Sequence, residues 1–155
     1  MFHHTGGFRV NNTEEIIAKL TDKDDKTACA FFQTLAAESA VSDKYLELIP
    51  SFAGLLTHKS SYARTRGFGL IAAQARWASD GQIAAVFDQM IPLLQDPKPI
   101  TVRQCLAALH EVVLYRPELT ERIRVAVQAI DLTKYKDSMS PLIKKDADAL
   151  LSMME

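Results

Sequence analysis

The stretch that decides the fold is MIPLLQDPKPITVR, residues 90–103. It holds the apolar end of one helix, a turn forced by two prolines, and the start of a second helix that is entered through Arg103. Residues 48–64 repeat this phrase, because Leu-Ile-Pro leads to a Leu-Leu pair, a polar turn and then Arg64. A repeat of about 40 residues is typical of stacked helix pairs, in which no single pair can bury its own apolar face.

The rest of the chain carries the same helical pattern. Apolar residues recur at the i, i+3, i+4, i+7 spacing of amphipathic helices, and the alternating pattern of strands is missing. We therefore predict an all-α protein of four antiparallel helix pairs in one domain spanning residues 1–155, of which residues 1–11 form a loose tail. The predicted helices cover about residues 13–21, 26–39, 42–57, 62–78, 80–95, 100–115, 117–130 and 138–154.

Two prolines fall inside predicted first helices of successive pairs. Pro50 lies in the helix over about residues 42–57, and Pro92 lies in the helix over about residues 80–95. Proline lacks a backbone N–H and clashes with the preceding turn. We expect both prolines to kink their helices and thereby to set the curvature of the stack.

The period resembles that of a known repeat family. Residues that end successive first helices lie 36 and 38 positions apart, at Leu20, Leu56 and Leu94. With the Pro-Leu-Leu-x-Asp-Pro pattern and its following Val-Arg, residues 45–115 resemble HEAT-like (armadillo-type) helical repeats. Residues 14–40 and 118–154 fit as degenerate end units. The resemblance implies a right-handed α–α superhelix, or solenoid, of about four helix pairs.

The resemblance also implies a role for the arginines that open the second helices. On a helical wheel Arg64 falls on the face that packs inward. In HEAT-like repeats such an arginine pairs with a turn aspartate, here Asp96, and the pairs form a ladder between neighbouring units. Arg103 is the corresponding residue one unit later. A planar guanidinium suits this bidentate pairing better than lysine does.

A stripe on the fourth helix is the first candidate binding surface. Arg66, Gly69, Ala73 and Arg76 share one face, which we expect to be exposed on the concave side of the solenoid. Glycine costs a helix roughly 1 kcal/mol relative to alanine, so Gly69 suggests close approach by a partner. The alternative is that the helix glycines relieve crowding between adjacent helices. Trp77 follows as a contact candidate, or as the edge of the core.

The sixth helix adds a corresponding polar stripe. It contains Gln104, Ala108, Glu111 and Tyr115, which would lie beside the arginines of the fourth helix. An ordinary solvated face is the alternative. The predicted partner-binding candidates are therefore Arg66, Gly69, Arg76, Trp77, Gln104, Glu111 and Tyr115.

Composition and motifs exclude several classes of function. Net charge is −1 overall, although residues 51–116 hold seven Lys/Arg against four Asp/Glu. Cys29 and Cys105 are too far apart and too isolated to indicate a zinc site or a disulfide framework. No signal peptide or membrane-spanning run is recognisable, which favours the cytoplasm. Phosphate loops and nucleophile motifs are missing, and His58 and His110 have ordinary structural explanations.

We therefore expect a non-catalytic interaction module that holds a protein partner on its concave face, with no cofactor, no metal and no membrane contact. Two alternatives stay open. DNA-alkylation-repeat proteins resemble this architecture, which suggests nucleic-acid binding. Bilin lyase subunits and iron–sulfur assembly proteins suggest an accessory subunit of an enzyme. A homodimer through the exposed ends of the solenoid is also compatible with the sequence.

Overall fold

In the computed structural model, which describes residues 12–155, every regular element is helical and no strand occurs. The predicted all-α class is confirmed, while the expected tail at residues 1–11 lies outside the described part. The α-helices are α1 (residues 12–20), α2 (Asp25–Ser39), α3 (Ile49–Ala53), α4 (Ser61–Ala73), α5 (Ala84–Met90), α6 (Pro99–Tyr115), α7 (Thr120–Gln128) and α8 (Ser140–Ser152). Short 3-10 helices cover Leu46–Leu48, Gly54–Thr57, Ile91–Gln95, Pro117–Leu119 and Leu132–Lys134.

The helices pack in two layers. The even-numbered helices α2, α4, α6 and α8 contact one another in succession, and we call them the even layer. Each of α4, α6 and α8 also packs against the helical segments that precede it, and these segments contact one another in turn. One continuous apolar core, from Ile16 to Met154, fills the space between the layers.

The two internal prolines change the type of helix. Residues 46–57 are helical throughout, but they are divided into a 3-10 turn, the five-residue α3 with Pro50 at its start, and a second 3-10 turn. In the next unit α5 ends at Met90 and continues as a 3-10 helix that contains Pro92. The missing N–H of proline interrupts the α-helical ladder, so the predicted long kinked helices are composites of short segments.

A buried ion pair joins the second and third units. The Arg64 guanidinium donates two hydrogen bonds to Asp96, at 2.9 and 3.1 Å, and the Asp96 residue is only 5% exposed. Arg64 also donates to the carbonyl oxygen of His58 at 2.9 Å, and the Asp96 carboxylate accepts the backbone N–H of Lys98. The structure thus brings Arg64 and Asp96 together across the turns that open α4 and α6.

The corresponding arginine of the next unit finds a different partner. Arg103 pairs with Asp146 on α8 at 2.6 Å, and this hydrogen bond raises the pKa of the arginine. In the segment before α8, the Asp137 side chain has no ion pair within residues 12–155, and the Tyr135 hydroxyl donates to the Asp96 carbonyl oxygen at 2.8 Å. Of the two arginines that the resemblance assigned to a ladder, Arg64 alone pairs with a turn aspartate.

We expect Arg64→Ala to lower the free energy of unfolding by about 3 kcal/mol, because it leaves the buried Asp96 carboxylate without its charge partner. The free energy of unfolding of the Arg64→Lys variant should lie between those of the original protein and of Arg64→Ala, since lysine keeps the charge but loses the bidentate geometry. Urea unfolding followed by circular dichroism measures the change.

Lys144→Ala is the matched control for that experiment. It breaks the exposed pair of Lys144 with Asp148, 2.8 Å apart, and should cost less than about 0.5 kcal/mol. Equal losses in the two alanine variants would contradict the special role of the Asp96 pair.

Gly67 marks the closest approach between α4 and the segment before it. A Cβ atom at this position would lie 2.7 Å from the carbonyl oxygen of Phe52 and 2.8 Å from the Cβ of Leu55. Both atoms belong to or adjoin the backbone, so they cannot move aside without shifting the helix. Gly54, in contrast, has open space around its would-be Cβ and a helical φ of −60°.

Gly67→Ala should therefore destabilise the protein by about 2 kcal/mol, although alanine is the better helix former. Gly54→Ala should be neutral or stabilising by up to about 1 kcal/mol, because it reduces the entropy of the unfolded chain. Thermal and urea unfolding of the two variants test the opposite signs, and a stabilised Gly67→Ala variant would contradict the close packing.

Candidate functional site

A large cavity lies on the surface of the even layer. It has a volume of about 430 Å³ and runs across α2, α4 and α6. Cys29, Phe32 and Gln33 of α2 line one side, and Ala107 and Ala108 of α6 line the other. The floor between them is α4, where Gly69 contributes no side chain. We call this cavity the groove.

Two further depressions continue the groove. One, of about 340 Å³, lies between α6 and α8 and includes His110 and Asp146. The other, of about 320 Å³, lies between the N-terminal ends of α4 and α6 and includes Tyr62 and Ile100. Gln104 lines all three cavities, and its exposed side chain makes no hydrogen bond within residues 12–155. This predicted candidate therefore lies where the depressions meet.

The position of Arg66 corrects the helical-wheel prediction. It was expected on the solvent face, yet the residue is only 7% exposed. Its guanidinium donates to the carbonyl oxygen of Leu20 at 3.1 Å and forms an ion pair with the Asp25 carboxylate. The end of α1 and the first turn of α2 cover it, which a wheel drawn for α4 alone cannot represent. Arg66 lines the groove, and the Asp25 carboxylate compensates its charge.

Gly69 faces α2 and is half-buried. A Cβ there would come within 3.1 and 3.2 Å of the aromatic ring of Phe32. The ring of this chain's own α2 thus accounts for the close approach, in line with the crowding alternative. Gly69 also lines the groove, where the Phe32 ring forms part of the wall.

The remaining candidates cluster at the other end of the even layer. The Arg76 guanidinium lies 4.9 Å from the ring centroid of Tyr115 and 4.0 Å from the Glu111 carboxylate. Because α4 ends at Ala73 rather than near residue 78, Arg76 and Trp77 sit in turns instead of on a helical stripe. The structure brings these four side chains together, but apart from the groove, which none of them lines.

Arg76 and Trp77 hold the C-terminal end of α2. The Trp77 indole N–H donates to the carbonyl oxygen of Ser39 at 2.6 Å, and Arg76 donates to that of Ala40 at 2.8 Å. Carbonyl groups at a helix end have no partner within the helix, so these bonds satisfy them. Both side chains therefore contribute to the joint between the first and second units.

Sequence reasoning missed a repeated interaction at the next joint. Arg116 donates to the carbonyl oxygen of Ala78 at 2.7 Å, as Arg76 does to that of Ala40. The two arginines lie 40 positions apart and the two acceptors 38, which matches the repeat period. The recurrence of arginine at this spacing was the signal in the sequence that could have predicted the repeated contact. The groove residues on α2 had no comparable signal, because their role depends on which helix lies beside them.

The groove itself is close to electrically neutral. Asp25 is paired with Arg66, and Asp146 is paired with Arg103 in the neighbouring cavity. His58 stabilises its own turn, where its Nδ1 accepts a hydrogen bond from the backbone N–H of Ser60 at 3.0 Å. Charged side chains at the groove thus pair with one another and leave amide, aromatic and small side chains to face a ligand.

No group of three or more His, Cys, Asp or Glu side chains within residues 12–155 is arranged to hold a metal ion. In the same part of the chain, no helix combines the length and apolar character that crossing a membrane requires. Comparison with known proteins found no matching family model, curated protein or solved structure. The groove therefore has to be interpreted from its own chemistry.

The two thiols differ in environment. Cys29 is half-buried and lines the groove, whereas Cys105 is buried in the core. Burial raises the pKa of the Cys105 thiol well above its ordinary value, and the nearby Asp96 carboxylate adds to the rise. A buried thiol with a raised pKa is a poor nucleophile.

We expect the native protein to release one equivalent of chromophore with Ellman's reagent at pH 8, from Cys29, and the second only after unfolding. Cys29→Ser should abolish the native reaction, and Cys105→Ser should leave it unchanged. Two thiols that react at the same rate in the folded protein would contradict the burial of Cys105.

Proposed function

We propose that this protein is a non-catalytic interaction module, built as a right-handed HEAT-like solenoid, which binds a segment of a protein partner in the groove. In this proposal the even layer is the concave face. We also propose that the protein is cytoplasmic, because its two free cysteines suit a reducing compartment.

Three observations support the solenoid. The even-numbered helices contact one another in sequence order, as the inner helices of stacked pairs do. The joints repeat, since Arg76 and Arg116 reach back to equivalent carbonyl groups of the preceding unit. Residues of equivalent role also recur every 36–40 positions.

The observation that carries the binding role is the shape and chemistry of the groove. Its floor and far side are made by Gly69, Ala107 and Ala108, so a chain can approach the helices closely. Gln104 offers an amide without a partner among the described residues. An amide can both donate to and accept from the backbone of a bound segment. Binding sites for ligands are typically apolar clefts with a few such polar groups.

Nucleic acid is supported less well as the ligand. Phosphate binding requires cationic groups that are free to replace counterions. Arg66 and Arg103, the arginines closest to the groove, are both committed to carboxylates. The role of accessory subunit to an enzyme is compatible with the proposal, because the partner could itself be an enzyme.

The test fills the groove with a bulky side chain. Ala107 is exposed on α6 and lines both the groove and the adjoining cavity. Ala107→Trp should reduce recovery of cross-linked protein partners from native lysate at least tenfold without changing the thermal unfolding midpoint. Ala85→Trp makes the same substitution at an exposed position on α5 and should have no effect.

A bound segment should also protect Cys29 from alkylation, since this thiol lines the groove. Partners recovered equally well with Ala107→Trp would contradict groove binding. Partners that disappear after nuclease treatment would support nucleic acid as the ligand instead.

A further inference from the structure

A row of lysines runs along one edge of the even layer. Lys23, Lys59, Lys98 and Lys136 lie in the segments before α2, α4, α6 and α8, at intervals of 36, 39 and 38 residues. All four are exposed, and none of their ammonium groups has a hydrogen bond or ion pair within residues 12–155. We call this set the lysine row. It places at least one free cation in each helix pair.

Exposed apolar side chains alternate with the two central lysines. Tyr62 and Ile100, each the second residue of its helix, are 62% and 53% exposed. They face each other across the cavity of about 320 Å³ that Lys98 also lines. Tyr62 further lines an adjacent cavity of about 270 Å³, which includes Lys59.

The cavity between α4 and α6 carries no negative charge. The described residues that line it include no carboxylate, and apart from Lys98 their polar groups are hydroxyls and the Gln104 amide. Two aspartates, Asp22 and Asp25, do line the adjacent cavity that includes Lys59, and Asp25 is paired with Arg66. Asp96, in the turn before α6, is buried and paired with Arg64. The N-terminal ends of α4 and α6 add partial positive charge at the same edge.

We propose, on the basis of the proposed function, that the bound segment is acidic and carries a large apolar side chain between two carboxylates. The apolar side chain sits between Tyr62 and Ile100, and the carboxylates reach Lys59 and Lys98. The segment crosses from this edge into the groove past Gln104, which lines both cavities.

Geometry sets the spacing of the two acidic residues. Packed helices lie about 8–10 Å apart, and an extended chain rises about 3.3 Å per residue. Carboxylates that reach the lysines of adjacent units are therefore about three positions apart, with the apolar residue between them. The aliphatic Ile100 and the wide spacing of the cations favour such a peptide over a continuous phosphate backbone.

The experiment selects peptides on the full chain. A displayed library of random 12-residue peptides is panned against the immobilised protein, and enriched sequences are synthesised with a fluorescein label for anisotropy. We expect enrichment of Asp or Glu about three positions apart around Leu, Ile, Phe or Trp. Replacement of those acids by Asn or Gln should weaken binding at least tenfold, and raising the salt should weaken it further, because exposed charges are screened.

Charge reversal identifies the surface. The Lys59→Glu/Lys98→Glu variant should bind the enriched acidic peptides at least tenfold more weakly, with unchanged circular dichroism. Lys19→Glu/Lys145→Glu makes the same change of net charge at exposed positions that line none of these cavities, and it should bind normally.

The outcomes separate the two proposals. Enriched peptides that lack acids, but whose binding Ala107→Trp still blocks, would overturn the acidic partner and leave the interaction module standing. No enriched peptide at all would count against both. Tighter binding of a fluorescein-labelled single-stranded oligonucleotide, dependent on Lys59 and Lys98, would overturn the acidic peptide in favour of nucleic acid.

Discussion

The buried carboxylate of Asp96 ties neighbouring helix pairs of this structure together. It accepts two hydrogen bonds from the Arg64 guanidinium and one from the backbone N–H of Lys98, while the carbonyl oxygen of the same residue accepts the Tyr135 hydroxyl. The turns that open α4, α6 and α8 are thus tied to one residue. Breaking a buried pair on one side leaves an uncompensated charge, which costs several kcal/mol. The relative positions of α4, α6 and α8, of which α4 and α6 line the groove, depend on these contacts.

Internal pairing also shapes what the surface can bind. Arg66 and Arg103 use carboxylates from units before and after their own, so the groove lined by Arg66 and the neighbouring cavity lined by Arg103 carry little net charge. Among the described residues, the unpaired cations include the lysines in the turns, at the edge of the even layer. Arginine suits the internal role because its planar group satisfies several acceptors at once, whereas lysine is a hydrated point charge. The neutral groove and the basic edge therefore have one cause: the arginines there pair internally, whereas the turn lysines stay in contact with water.

The sequence predicted the architecture better than the site. Helical periodicity gave the all-α class, and the pairing of an arginine with a turn aspartate followed from the resemblance. The exposure of Arg66 was wrong because a helical wheel represents one helix, while the residue is covered by α1 and α2. Arg76 was expected on the stripe of the fourth helix and Trp77 directly after it, but α4 ends at Ala73 and both residues lie in turns. The residue at which a helix ends depends on small differences in helix propensity. Tertiary contacts, such as the hydrogen bond from Trp77 to Ser39, can outweigh these differences.

What the sequence determined by itself was local and periodic: helical segments, their disturbance at Pro50 and Pro92, and a repeat of about 40 residues. These features depend on neighbours within a few positions or on recurrence along the chain. Only the tertiary structure decided which cations are free and which side chains share a cavity. The partners of Arg66 and Arg103 lie 41 and 43 residues away, and the groove is lined by three helices from three different units. Contacts over such separations are fixed by how the units stack, which no single segment of the chain encodes.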